Sequence, residues 1–285
     1  MSEKINNWSI LRNEIYSSSL LLSDNSLIKI EDNMFNNKQY KYNKGLRIKD
    51  ESYFMKWSGR YSLGCYTEHI ASTFIRECGY SAQQTMMGMY RNSPVVICKD
   101  FTDEYGILET FNNTSPFRLD GASFIYEYDI DYLIRYFKDI KNCNVDDCVI
   151  KLWEMCLFDV LLHTDDRHCG NGGLCYKNGV RVFSPLFDNA ESLYSFIFDY
   201  SENNRDITPD RMISHCFAYS WFEYRHKKEC PKDVLAKFQE IDVVSAMDRS
   251  TIGFKDSWRS FFRSIVYYRH KCLIKGDEFV CEGMK

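Results

Sequence analysis

Residues 163–188 read HTDDRHCGNGGLCYKNGVRVFSPLFD, and the rest of the chain is interpreted outward from them. The first nine, His163 to Asn171, form the densest polar cluster of the sequence. Asn178-Gly179, set between Leu174-Cys175-Tyr176 and Val180-Arg181-Val182-Phe183, predicts a hairpin with a two-residue turn. That hairpin delivers Asp188 just after the apolar Leu186-Phe187, where a carboxylate without a partner is costly.

Two spacings need a joint explanation: Asp166 stands five residues before Asn171, and Asp188 stands 22 residues after Asp166. Phosphoryl transfer uses a carboxylate to accept the proton of the acceptor hydroxyl and hard oxygen ligands to hold Mg²⁺. In catalytic loops of that kind the base precedes a metal-binding Asn by five positions, and the second metal-binding Asp follows a short hairpin. Asp166, Asn171 and Asp188 meet these conditions. Asp165 does not, since its fifth neighbour is Gly170, and it reads as a capping or surface residue. Taken alone, the pattern equally fits a solvated polar loop.

Upstream parts argue against the bland reading. Tyr53-Phe54-Met55-Lys56-Trp57 is an aromatic strand candidate in which a lone Lys needs a counter-ion, unless it snorkels at an edge. A helical pattern runs from about Gly64 to Cys78-Gly79, and on it Glu68 shares the apolar face of Ala71 and Ile75. A strand Lys held by a helix Glu places an ammonium against nucleotide phosphates. Strand-like runs Thr85–Tyr90 and Val95–Lys99 then flank a turn at Arg91-Asn92-Ser93-Pro94. Beyond Phe101 the spacing becomes helical, at Ile130, Leu133, Ile134, Phe137 and Ile140, and again at Val149, Leu152, Cys156 and Val160. Helices are expected from about Pro209, with Trp258–Val266 building core. Residues 1–50 are polar and carry no decisive pattern beyond the apolar Ser19-Leu20-Leu21-Leu22.

The expected architecture is therefore α+β and bilobal: a small mixed β/α N-lobe over residues 1–101 and a larger, mainly helical C-lobe over 102–285. At 285 residues, 45% hydrophobic and 16% aromatic, the chain can fill such a core, and global disorder is excluded. The 36 basic residues against 40 acidic ones give a net charge of −4, so no bulk electrostatic attraction to nucleic acid is expected. No apolar run is long enough to span a bilayer and the N-terminus does not read as a secretory signal, which makes the cytoplasm the default address. The 12 cysteines lack any C-x-x-C pair and several sit in apolar runs, as reduced, buried thiols do.

The ordered set Phe54-Met55-Lys56-Trp57, Gly64–Ala71, Val95–Thr102, Asp166–Asn171 and Ser184–Asp188 resembles the HipA-like protein kinases, and within them the cell-translocating kinase (CtkA) group, over roughly Tyr53 to Tyr194. The resemblance implies a kinase-like fold with ATP and Mg²⁺ in its cleft and Ser/Thr kinase activity; whether the acceptor is another protein or the chain itself is open at this level. It makes Asp166 the base, Asn171 and Asp188 the Mg²⁺ ligands, Lys56 the nucleotide lysine and Glu68 its partner. Lys99, Asp100 and Phe101 fall where such kinases offer backbone groups to adenine, and His168 near the phosphates, where a second-shell or core role fits equally well. A glycine-rich loop is expected before Lys56, but only Asn43-Lys44-Gly45 with Arg47 is present, leaving Gly45 as the phosphate-covering glycine. Asp188-Asn189-Ala190 stands in place of D-F-G. Delivery into another cell as an effector is a further implication of the group.

Two rival readings remain at this level. A degenerate kinase fold could bind nucleotide or a partner without catalysis. Alternatively His163, Asp165, Asp166 and His168 could bind a metal and hydrolyse a phosphoester, which leaves Lys56 and Glu68 without a task.

Overall fold

Val95-Val96-Ile97-Cys98 is apolar without a break because both faces of its strand are covered, and all four residues are buried. In the computed structural model this run belongs to β6 (Ser93–Lys99) of a six-stranded sheet. The structure describes residues 28–40, 43–57, 64–91, 93–113, 130–164, 166–193, 230–254 and 256–275. Ser19–Leu22 and Asp165 lie outside them.

The sheet also contains β1 (Ile28–Lys29), β2 (Phe35–Tyr40), β3 (Asn43–Ile48), β4 (Glu51–Trp57) and β5 (Thr85–Tyr90), in the order β1-β5-β6-β4-β3-β2. Only the β1–β5 pair is parallel. Side chains alternate across a strand, and the two faces build two cores. Val95 and Ile97 join Leu46, Tyr53 and Met55 on one face. Val96 and Cys98 join Ile70, Ala71 and Phe74 of helix α1 (Gly64–Glu77) on the other. Register pairs Lys56 with Val96 and Phe54 with Cys98. Lys56 therefore projects from the face that α1 covers.

The larger lobe contains α2 (Thr102–Tyr105), β7 (Ile107–Thr110), α3 (Ile130–Asp139), α4 (Val145–Leu162), β8 (Gly173–Lys177), β9 (Val180–Phe183), α5 (Lys232–Gln239), α6 (Val243–Ser250) and α7 (Asp256–Lys275). Helix α4 is buried on most sides, among them Leu152, Met155, Cys156, Phe158 and Leu161, the pattern of a central helix. The Asn144 side chain caps it by accepting from the Asp147 N–H, and it ends on left-handed His163 (φ 50°). Helix α7 closes over it, with Arg269 donating to the Val160 carbonyl at 2.6 Å. Phe261, Phe262, Ile265 and Val266 of α7 are buried, as the sequence pattern predicts.

The fold is α+β and bilobal, as expected, with three local differences. The stretch after Phe101 is not uniformly helical: β7 pairs with β8, which pairs with β9 in a separate antiparallel sheet. Gly173 makes that pairing possible, since a Cβ there would stand 2.5 Å from the Glu109 carbonyl oxygen. Second, residues 28–48, read as featureless, supply three strands. Third, Gly45 lies inside β3, opposite Phe54, rather than in a loop, because Leu46 and Ile48 alternate into the sheet. The hairpin turn at Asn178-Gly179 forms as predicted, with φ of 53° and 84°.

Among the described residues, no helix is long and apolar enough to cross a membrane. Nine described cysteines are free thiols.

Candidate active site

The strand and helix that the large core joins bring Lys56 to Glu68. Lys56 Nζ donates to Glu68 Oε2 at 2.9 Å and to Asp188 Oδ1 at 2.6 Å. Glu68 is fully buried, and its other oxygen accepts the Asn189 N–H at 3.1 Å. Burial opposes the Lys56 charge, but the carboxylates of Glu68 and Asp188 outweigh it and hold the Lys56 pKa above its ordinary value. Burial likewise works against ionised Asp188, and the Lys56 ammonium, helped by Arg167 and His168, holds its carboxyl below the ordinary value. Lys56 and Asp188 are thus charged and paired across the two lobes.

The 166–171 loop is organised from its backbone. The Asp166 carbonyl accepts the His168 N–H at 2.9 Å and the Asn171 Nδ2–H at 2.8 Å. The second bond commits the amide nitrogen of Asn171 inward and turns its Oδ1 the other way. The Asp166 carboxylate keeps 48% of its side chain in solvent, with His168 Nε2 at 3.9 Å from Oδ2. His168 Nδ1 accepts the Gly170 N–H at 2.9 Å, which leaves the ring proton on Nε2, the nitrogen nearer Asp166. A Cβ at Gly170 would stand 2.7 Å from the imidazole, so glycine is needed for this fit.

Arg167 joins these parts, and the sequence reading missed it. Its guanidinium is fully buried and grips Asp159 of α4 with Nε and Nη2 at 3.0–3.2 Å. Nη1 donates to the main-chain carbonyls of Asn171 at 2.6 Å and Phe187 at 2.7 Å. Nη2 also donates to Asn189 Oδ1 at 2.6 Å. One cation therefore ties the central helix to the residues that carry Asn171 and Asp188. A signal was present, because Asp159 is a lone acid inside Leu157-Phe158-Asp159-Val160-Leu161 and an acid there demands a buried cation.

Asn189, which follows Asp188, acts as a polar latch. Besides receiving Arg167 it donates from Nδ2 to Ser72 Oγ at 3.0 Å and from its main-chain N–H to Glu68. Thr67 of α1 donates to the Ala190 carbonyl. Asp188 itself is held at φ 57°, a left-handed conformation that Asp tolerates better than most residues.

At the end of β6 the main chain is already engaged. Lys99 N–H donates to Gln84, its carbonyl accepts from Gln83 Nε2 at 2.9 Å, and Asp100 N–H donates to Ser52. The Lys99 ammonium pairs with Glu51 at 2.6 Å, and the Asp100 carboxylate accepts from both the N–H and the hydroxyl of Thr102. Phe101 packs its ring 5.6 Å from Phe187, the residue before Asp188. Lys99, Asp100 and Phe101 thus form the connection between lobes, while Gly45 sits two strands away from β6, in β3.

The donor chemistry fits Mg²⁺ brought in with phosphates. Asp188 and Asn171 supply two hard oxygens, and Mg²⁺ takes few protein ligands, completing its shell with waters and phosphate oxygens. Among the described residues no group of three or more His, Cys, Asp or Glu stands together as a resident metal site would require. His163 of the hydrolase reading is the buried cap of α4.

No protein-family profile matches the chain. Over 222 residues, 64% of this chain and 62% of the relative, it is 25% identical to the serine/threonine-protein kinase CtkA of Helicobacter pylori (strain J99). It therefore spans less than two thirds of that relative. The crystal structure of the Helicobacter pylori proinflammatory kinase CtkA superposes with a TM-score of 0.67 at 20% identity, covering 87% of this chain and 99% of that one. HipA of Shewanella oneidensis MR-1, solved with HipB and operator DNA, superposes with a TM-score of 0.50 at 10% identity over 92% of this chain and 70% of that one. The chain is similar to CtkA in sequence and shares the fold of the CtkA and HipA structures.

Proposed function

We propose that the protein is an ATP- and Mg²⁺-dependent kinase that phosphorylates Ser/Thr hydroxyls of a protein, its own chain included. The observation that carries this reading is Lys56, bonded at once to Glu68 of the small lobe and Asp188 of the large one. A structural ion pair needs one carboxylate; an ammonium shared between a helix Glu and a metal-ligand Asp suits a site for phosphates.

In this reading Lys56 holds the non-transferred phosphates and Glu68 fixes the direction of its ammonium. Asn171 and Asp188 hold Mg²⁺, which when bound neutralises charge on the phosphate oxygens. Asp166 accepts the proton of the attacking hydroxyl. It is suited to that because its carboxylate faces solvent while its carbonyl is pinned by Asn171 and His168. His168 presents its Nε2–H beside Asp166, where it orients the carboxylate before the proton is taken up. Lys99, Asp100, Phe101 and Gly45 flank the nucleotide, but the N–H groups of Lys99 and Asp100 are already given to Gln84 and Ser52, so the adenine is held by groups other than these two.

Incubation with γ-labelled ATP and Mg²⁺, alone and with a generic Ser/Thr-containing protein, tests the proposal. Label on protein is expected. Release of free phosphate alone would turn the reading to hydrolysis, and nucleotide binding without either product would turn it to a non-catalytic module.

A further inference from the structure

Behind the connection between the lobes lies a cleft of about 300 Å³ that the proposed chemistry does not use. Its floor is one stripe of α4, where Asp147, Lys151, Glu154 and Phe158 recur at helical spacing. Tyr80 roofs it from the small lobe, Tyr105 of α2 contributes to its lining, and Phe183 and Ser184 close it from the end of β9. None of Lys56, Glu68, Asp166, Asn171 or Asp188 lines it. One wall is a main-chain bridge between the lobes: Leu186 N–H donates to Ser81 at 3.0 Å and Gln83 N–H to Leu186 at 2.8 Å.

Three observations define what would fill this space. The Ser184 hydroxyl is buried in the lining and has no hydrogen-bond partner among the described residues, an arrangement that folded proteins rarely leave unanswered. Lys151 and Glu154 neutralise each other at 2.8 Å. No described cation pairs with Asp147, so two carboxylates and one ammonium leave the rim one negative charge. The remaining lining combines the rings of Tyr80, Tyr105, Phe158 and Phe183 with Ser81, Val182 and Leu186, and Tyr80 and Phe158 stand edge to face at 4.9 Å. Rings attract a planar body and a cation alike, and a carboxylate at the rim selects the cation.

We infer that this cleft is a second ligand site, for a small arylalkyl amine bound as its ammonium. The aryl group lies among Tyr80, Tyr105 and Phe158, the ammonium meets Asp147, and a polar ring atom satisfies Ser184. The volume suits a fragment-sized molecule and stands at the lower end of small-molecule pockets. Such a ligand touches Tyr80 above and β9 below, so its occupancy stiffens the junction of the lobes. The inference stands independently of the kinase reading, since none of its residues takes part in that chemistry.

Tryptamine is the probe and indole-3-propionate the anionic control, titrated calorimetrically into the full chain with hydrogen exchange read in parallel. Tryptamine is expected to bind and to slow exchange at the Gln83 and Leu186 amides. Its affinity should fall about fivefold or more in both Ser184→Ala and Asp147→Asn, the scale of one lost polar contact. Val182→Trp, which adds bulk to the lining of the cleft, should abolish binding and covers the case in which a polar variant fails to fold. Absence of binding at about 5 mM, where fragment affinities are ordinarily measurable, overturns the inference. So does equal binding of the anion, unchanged affinity in all three variants, or displacement by ATP, which would put the probe in the nucleotide cleft.

Discussion

Arg167 and Asp159 form a bidentate ion pair from which solvent is excluded, the guanidinium fully buried and the carboxylate side chain 3% exposed. The pair connects a helix that never touches substrate in the proposed mechanism with the two loops that do. Its strength lies in completeness, because Asn171, Phe187 and Asn189 take up the remaining guanidinium donors.

Removing one member leaves a buried, uncompensated charge. Arg167→Met should lower the unfolding free energy by about 3–5 kcal/mol, read from urea denaturation. The paired change Arg167→Met with Asp159→Leu should recover only part of that loss, because the Asn171, Phe187 and Asn189 acceptors stay without a donor, and should not restore phosphoryl transfer. A single variant as stable as the parent would contradict the role given to the pair.

Lys56→Met should reduce turnover on the order of 100-fold or more, the scale of losing one preorganised electrostatic contact. It should also destabilise, since Glu68 is fully buried. Adding Glu68→Leu should recover part of the stability, since it removes the stranded charge but leaves the Asn189 N–H without its acceptor, while turnover stays low, which separates the structural from the chemical part of the interaction. Turnover unaffected by Lys56→Met would exclude the assigned role.

Asp166→Asn changes a half-exposed carboxylate and keeps the main-chain carbonyl that receives Asn171 and His168. Melting temperature and nucleotide affinity should therefore stay near those of the parent. Turnover should fall about 100- to 10,000-fold, the usual contribution of a general base. Rapid-quench measurement of a single turnover checks the chemical step directly.

His69 gives the fold an acid sensitivity outside the active site. Burial, aided by nearby Arg76, pushes its pKa down to about 4 from the ordinary 6.5. The ring stays neutral in the fold, 3.0 Å from the Thr85 hydroxyl, and gains a proton first in the unfolded chain. Between about pH 6.5 and 4 the unfolded state binds more protons, so stability falls on acidification, by up to about 3 kcal/mol. His69→Gln should flatten that slope in urea melts at a series of pH values. The carboxyl of Asp188, held below its ordinary 3.8, acts only at lower pH.

The charged residues that break an apolar rhythm were the legible part of the site. Lys56 in an aromatic strand and Glu68 on an apolar helix face each announced a missing partner, and the fold supplies one to the other. Asn178-Gly179 was readable because a two-residue turn is a local event. Strand β7 was not, since Ile107–Thr110 is short and its register with Gly173–Tyr176 is set across more than 60 residues of chain. The strands of residues 35–48 escaped because their polar edges mask the alternation that buries Leu46. Arg167 was passed over as one more charge in a polar loop; only the three-dimensional fold brings Asp159, eight residues earlier, onto it.

Asn189 has a consequence for any attempt to block this cleft chemically. Where an aromatic ring seals such a loop, the seal is greasy and can slide out, leaving a slot for a drug to wedge open. Here the seal is a set of directional bonds to Arg167, Ser72 and Glu68, and withdrawing it strands every one of those groups in a dry interior. Compounds built to capture a swung-out loop should find no purchase on this protein, and the route to selective inhibitors runs through its resting shape.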